Sequence, residues 1–268
     1  MKIIDLIKKK KTISFEFFPP KRESDLPKLY ETVDRLSTYN PDFVSFTYGA
    51  GGNTRQLTIK VSKDTKIANL TQVMTHLTCV AHTKKEIDTI LDELSKYKIE
   101  NIIALRGDKP KDIDIKNELI HATDLISYIK NQSNSFCIAA ACYPELHPET
   151  NDFSEEIKYT KLKQDKGADF LVTQLFFDNK DYFKFVDESL NKGITIPIIP
   201  GILPIVSTSQ IRRITKLCGS KIPNNLNIKL EKYKDNNLET AKLGIEYATK
   251  QVLELIENDV PGIHFYSL

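Results

Sequence analysis

Glu16 sits among three phenylalanines, Phe15, Phe17 and Phe18, in the run SFEFFPP. A carboxylate so surrounded loses solvation, which raises its pKa and suits it to act as a general acid near neutral pH. A buried glutamate paired with a lysine for purely structural reasons fits the same position. Four further stretches set polar groups beside apolar runs. TYGAGGNTR, residues 47–55, carries three glycines whose backbone N–H groups could approach an anionic or carbonyl oxygen. It is neither a Walker loop nor a GxGxxG fingerprint, and a plain connector explains it equally. ALRGDKP, residues 104–110, puts Arg106 and Asp108 together, where they could simply pair with each other. AAACYPELHPE, residues 139–149, spaces Tyr143 and His147 four apart across Pro144, an arrangement able to line a flat heteroaromatic ligand. In VTQLFFD, residues 172–178, Gln174 stands amid apolar neighbours. An unpaired buried amide there costs about 1–3 kcal/mol, so a substrate amide or a nearby backbone group should satisfy it. His76, His82 and His147 are possible metal ligands, but no HExxH pattern or paired Cys/His ladder joins them, so no metal is expected.

These groups need a scaffold that brings them to one place. Strand patterns fall at 13–18, 43–48, 73–80, 101–106, 137–143, 170–177, 196–203 and 263–268. Helical patterns lie between them at 25–39, 83–97, 117–131, 155–166, 180–191 and 207–217. Spacing and strands apolar on both faces suit βα units feeding a buried parallel sheet. Eight such units predict a (β/α)8, TIM-type barrel forming one domain over residues 1–268. In that fold, functional groups gather where strands end and βα loops begin, which is where all five stretches fall. An extra helical pattern at 238–255 precedes the last strand, and no helix follows that strand before Leu268. The final helix of the barrel is therefore expected to be missing, leaving apolar surface between the first and last strands.

With 268 residues, 40% hydrophobic and 28% charged, the chain is too apolar for disorder and long enough for a large core. A net charge of +2 argues against a nucleic-acid partner. No apolar run approaches a membrane span and the N-terminus lacks a signal-peptide cleavage site, which predicts a cytoplasmic protein. Cys79, Cys137, Cys142 and Cys218 show no CxxC spacing and read as small hydrophobes in a reducing setting.

Taken in order, SFEFFPP, FVSFTYGAGGNTR, HLTC, NIIALRGD, YPELHPE, GADFLVTQLFFD, IPIIPGILP and HFYSL closely resemble the bacterial methylenetetrahydrofolate reductases. The resemblance runs from about Thr12 to Leu268. It implies a barrel that binds FAD and uses NADH or NADPH to reduce 5,10-methylenetetrahydrofolate to 5-methyltetrahydrofolate by ping-pong hydride transfer, supplying methyl groups for methionine synthesis. It further implies small-molecule substrates, a homo-oligomer and no membrane partner. Glu16 matches the acid that opens the methylene bridge to an iminium ion. Asp108 matches an aspartate beside the flavin that also contacts the pterin, and Gln174 a glutamine shared by folate and nicotinamide. For FAD the matching positions are Tyr48, Ala50, His76, Arg106, Gly107, Asp108, Ala122, Tyr143, His147 and Lys163. Glu156 and Tyr159 fall at FAD-contact positions on the helix of Lys163, with Lys163 and Arg106 directed to the diphosphate. Thr47 and Gln210 match nicotinamide-contact positions. Ile214 replaces a stacking aromatic, and Leu162 a second basic residue. The family's Asn-Arg pair, whose arginine contacts folate, does not follow HFYSL here, which reads as a shortened chain. A flavoprotein remnant and a cofactor-free barrel lyase are the alternatives, the latter wanting a Schiff-base lysine inside a strand, which is not seen.

Overall fold

Runs rich in Val, Ile and Phe form strands because branched and aromatic side chains pack well on both faces of a pleated sheet. In the computed structural model these are β1 (Thr12–Phe17), β2 (Phe43–Phe46), β3 (Gln72–Thr78), β4 (Asn101–Leu105), β5 (Cys137–Cys142), β6 (Phe170–Thr173), β7 (Ile198–Ile199), β8 (Gly201–Ile202) and β9 (Gly262–Tyr266). The structure describes residues 1–48, 52–68, 71–108, 118–132, 135–150 and 152–267, without the side chains of 52–54. Every pairing is parallel, and the strand order is β7-β6-β5-β4-β3-β2-β1-β9-β8.

The single strand expected at 196–203 is two short pieces, because Pro200 has no N–H to give the ladder. β7 bonds to β6 while β8 bonds to β9, so this bent strand closes the ring. The carbonyl of Pro200 takes part, accepting from the His264 N–H at 3.0 Å. The result is the (β/α)8 barrel anticipated from the alternation.

The helices are α1 (Ile3–Ile7), α2 (Leu26–Ser37), α3 (Gly52–Ile67), α4 (Lys84–Lys96), α5 (Ala122–Gln132), α6 (Phe153–Asp165), α7 (Asn179–Asn191), α8 (Thr208–Cys218), α9 (Asn224–Lys232) and α10 (Asn237–Glu257). Local signals set their ends: Thr83 and Glu86 form a reciprocal capping box on α4, and Asp152 caps α6 through the Glu155 N–H. Sequence periodicity did not indicate α1, α3 or α9. The first is only five residues long, yet it buries Ile3 and Ile7 in the bottom of the barrel against Phe43, Met74, Ile103, Phe170 and Ile199. Asn101 secures it by accepting from the Ile3 N–H at 2.7 Å.

Above this apolar floor the barrel interior turns polar. Alternation along β1 points Ser14 and Glu16 inward, where Ser45, His76 and His264 join them, all buried. Ile13 points the other way and is 47% exposed on the outer face of β1, where Phe15 stacks on Phe265. The main core lies between strands and helices, around residues such as Leu77, Ile102, Ile138, Leu171 and Phe185. Among the described residues no helix is long and apolar enough to cross a membrane. All four cysteines are free, three of them buried.

Candidate active site

Glu16 comes inward near the upper end of β1, and its carboxylate meets groups from three other strands. Its Oε2 lies 3.1 Å from His76 Nε2 on β3 and 3.4 Å from His264 Nε2 on β9. Ser45 Oγ on β2 donates to the same oxygen at 3.3 Å. The His76 contact is short enough for an ion pair but too poorly aligned to count as a hydrogen bond. Burial pushes the Glu16 pKa up, as expected from its phenylalanine neighbours. The two imidazoles outweigh burial, however, and the carboxyl falls to about 2. The expected rise is thus corrected, and so is the lysine partner: histidines from β3 and β9 occupy that role.

His264 was not foreseen as a site residue. Its ring stacks on Phe43 at 5.9 Å, and its Nδ1 sits 2.8 Å from Ser14 Oγ. The signal available was parity: in the last strand Ile263 packs outward, so His264 must face the barrel axis.

Two adjoining cavities open above this cluster, sharing Leu105, Arg106, Tyr143 and His147 as common wall. The first, about 410 Å³, also brings together Thr47, Tyr48, His76, Gly107, Asp108 and Gln174. The second, about 280 Å³, adds Ala122, Glu156, Tyr159 and Lys163. The sequence assignments therefore converge, apart from three. Glu16 reaches His76 but lines neither cavity itself. Gln210 lies in the first turn of α8 and lines neither cavity. Ala50 lies outside the described residues, as do the glycines at 49 and 51.

The local geometry explains how each group is held. Gly107 has φ of +86°, and a Cβ there would approach Thr78 Cβ to 2.9 Å, so the turn after β4 folds tightly onto β3 and carries exposed Asp108 outward. Arg106 does not pair with Asp108 through a hydrogen bond. Its guanidinium instead grips Glu149 in a two-bond fork at 2.5 and 2.9 Å. Tyr143 and His147 meet edge to face at 4.7 Å between centroids. Tyr48 bonds His82 Nε2 at 3.0 Å, and burial raises its phenol to about 12. Gln174 lies just past β6 rather than inside it, and its Oε1 accepts from the Leu175 N–H at 2.9 Å, so a neighbouring backbone group serves that oxygen.

Lys163 projects from α6 into the smaller cavity, where its Nζ donates to the Ala141 carbonyl at 2.8 Å. Burial lowers its pKa, opposed by the charge of Glu156. Glu156 is itself buried and accepts from the His147 N–H and the Thr150 hydroxyl, both at 3.2 Å. A buried ammonium and a guanidinium on one cavity wall form a place for an anionic group, with aromatic rings alongside for a flat one.

Similar proteins carry related descriptions. The chain is 36% identical over 287 residues to methylenetetrahydrofolate reductase (NADH) 1 of Arabidopsis thaliana, covering 100% of this chain and 48% of that one. To the 5,10-methylenetetrahydrofolate reductase of Salmonella typhimurium it is 38% identical over 257 residues, covering 96% and 86%. The chain thus spans about half the length of the plant relatives and most of the bacterial one. A solved Clostridium thermocellum protein, described as binding two copies of 5-methyl-5,6,7,8-tetrahydrofolic acid, shares the fold with TM-score 0.67 and 15% identity, covering 98% and 92%. The methylenetetrahydrofolate reductase family model matches residues 2–268, and the chain belongs to that family.

Proposed function

We propose that the chain reduces 5,10-methylenetetrahydrofolate to 5-methyltetrahydrofolate, with FAD as cofactor and NADH or NADPH as reductant. The name of the Arabidopsis thaliana relative favours NADH. The observation that carries this reading is the buried Glu16 between two imidazoles, directly behind His76 in the wall of a cavity that also holds Thr47, Asp108 and Gln174.

The residues present fit FAD. Among the described residues no carboxylate lies within ion-pair distance of Lys163, which rests on a backbone carbonyl, so a diphosphate would supply a closer counter-charge than Glu156 does. Arg106 would join it by exchanging Glu149 for phosphate oxygens. Tyr48, His76, Gly107, Ala122, Tyr143, His147, Glu156 and Tyr159 complete the contacts, with Asp108 and Gln174 left for the reacting face. When bound, FAD supplies a two-electron carrier between nicotinamide and folate.

Asp108 places a negative charge at the rim of the larger cavity, which disfavours negative charge developing nearby. Gln174 offers its amide to whichever substrate lies there, and Thr47 contacts the nicotinamide. Glu16 protonates the folate amine nitrogen as the bridging C–N bond opens. With imidazoles beside it holding its carboxyl low, Glu16 takes that proton from a neighbour before passing it on. Replacing Glu16 by Gln keeps the shape and removes the acid. In rapid-mixing measurements, Glu16→Gln should leave the NADH half-reaction unchanged and slow the folate half-reaction roughly a hundredfold or more. A folate half-reaction at the parent rate would remove Glu16 from this role.

A further inference from the structure

Above the apolar floor Glu16 stands at the barrel axis, and His264, fixed by Ser14 and Phe43, packs against it. Its two hydrogen-bond partners are serine hydroxyls, each able to donate or accept. Ser14 Oγ lies 3.2 Å from the Ile263 carbonyl and 2.8 Å from His264 Nδ1, and when its proton goes to the carbonyl it accepts from the Nδ1. Ser45 Oγ lies 3.3 Å from Glu16 Oε2 and 3.4 Å from His264 Nε2, and when its proton goes to the carboxylate it likewise accepts from the ring. In that arrangement both ring nitrogens donate, which is the imidazolium form. A buried carboxylate needs such a counter-charge, and Glu16 Oε2 lies 3.4 Å from the Nε2. The other titratable groups facing this pair are His76 from β3 and Tyr266, two residues further along β9. Phe43 covers one face of the His264 ring. His264 is fully buried, whereas His76 borders the larger cavity.

We propose that His264, locked by Ser14, is a positioning residue that holds Glu16 at the barrel axis and lends it the proton that Glu16 delivers. This rests on the reading of Glu16 as the acid. As the folate C–N bond breaks, the His264 Nε2–H bond breaks and a Glu16 Oε2–H bond forms. The Glu16 proton in turn goes to the departing amine nitrogen, leaving His264 neutral and Glu16 ionised. Solvent protons restore the pair through the His76 side once product has left.

The test uses the full chain labelled with ¹⁵N-histidine. At neutral pH the His264 resonances should show both ring nitrogens protonated, and in Glu16→Gln, with the counter-charge gone, only one. A neutral His264 in the unaltered chain would overturn the proposal without any activity measurement. In kinetics, His264→Gln should slow the folate half-reaction by on the order of tenfold to a hundredfold. Folate affinity should hold, and the pH profile of that step should move. Should His264→Gln not fold, Ser14→Ala removes the lock with little change in volume and should move the same profile by less. If Glu16→Gln slows the folate step but neither His264→Gln nor Ser14→Ala moves its pH profile, this proposal fails and the reading of Glu16 stands. If Glu16→Gln is itself without effect, both fail.

Discussion

Glu145, in the loop after β5, accepts the Lys221 N–H through Oε1 while its buried Oε2 has no hydrogen-bond partner. Burial, with Asp181 and Asp178 nearby, raises its carboxyl to about 7 despite the Lys221 contact. Glu16 is more deeply buried yet driven the opposite way, because its neighbours are imidazoles rather than carboxylates. The two make opposite contributions to stability. A carboxyl raised in the folded state stabilises fully below its unfolded value near 4.5, and that contribution is lost as pH rises through about 7. Glu145→Gln should therefore stabilise the fold relative to the parent at pH 8.5 and not at pH 4, by on the order of 1 kcal/mol after solvent screening, seen as a higher melting temperature. An equal effect at both pH values would contradict the shift. From the sequence, the phenylalanines around Glu16 made its burial legible. Its partners were not, since they arrive from β3 and β9, and local sequence carries no record of what faces a residue across a barrel.

Among the elements, α6 carries Glu156, Tyr159 and Lys163 on one cavity wall, positions that the family resemblance rather than the local sequence pointed to. Strand seven was legible in position but not in form, since its apolar run concealed the break that Pro200 imposes. α3 and α9 lacked a strong apolar stripe and owe their form to packing against their neighbours. α10 shows how closely such packing can be drawn. Gly244 in its middle ordinarily weakens a helix by about 1 kcal/mol relative to Ala. Here a Cβ would lie 1.9 Å from the Ile205 carbonyl oxygen, so the helix must approach that loop with no side chain between. Gly244→Ala should lower stability by about 1–3 kcal/mol in chemical unfolding, against the gain that helix propensity alone would give. A stabilised variant would show that the helix is not held this close.

Over the whole molecule, an apolar floor sealed by α1 lies beneath a polar centre, and the cavities open above it at the carboxyl ends of the strands. The barrel and most of its rim were legible because βα alternation fixes which loop ends gather. Gln210 stands in the first turn of α8 and lines neither cavity. The central claim is that these cavities join two half-reactions on one cofactor. The direct measurement is the visible absorption spectrum of the FAD-loaded chain without oxygen, recorded after NADH and again after methylenetetrahydrofolate. The expected result is a yellow protein that bleaches with NADH and recovers its colour with the folate. A chain that takes up no FAD, or one that bleaches and stays colourless when the folate is added, would contradict it.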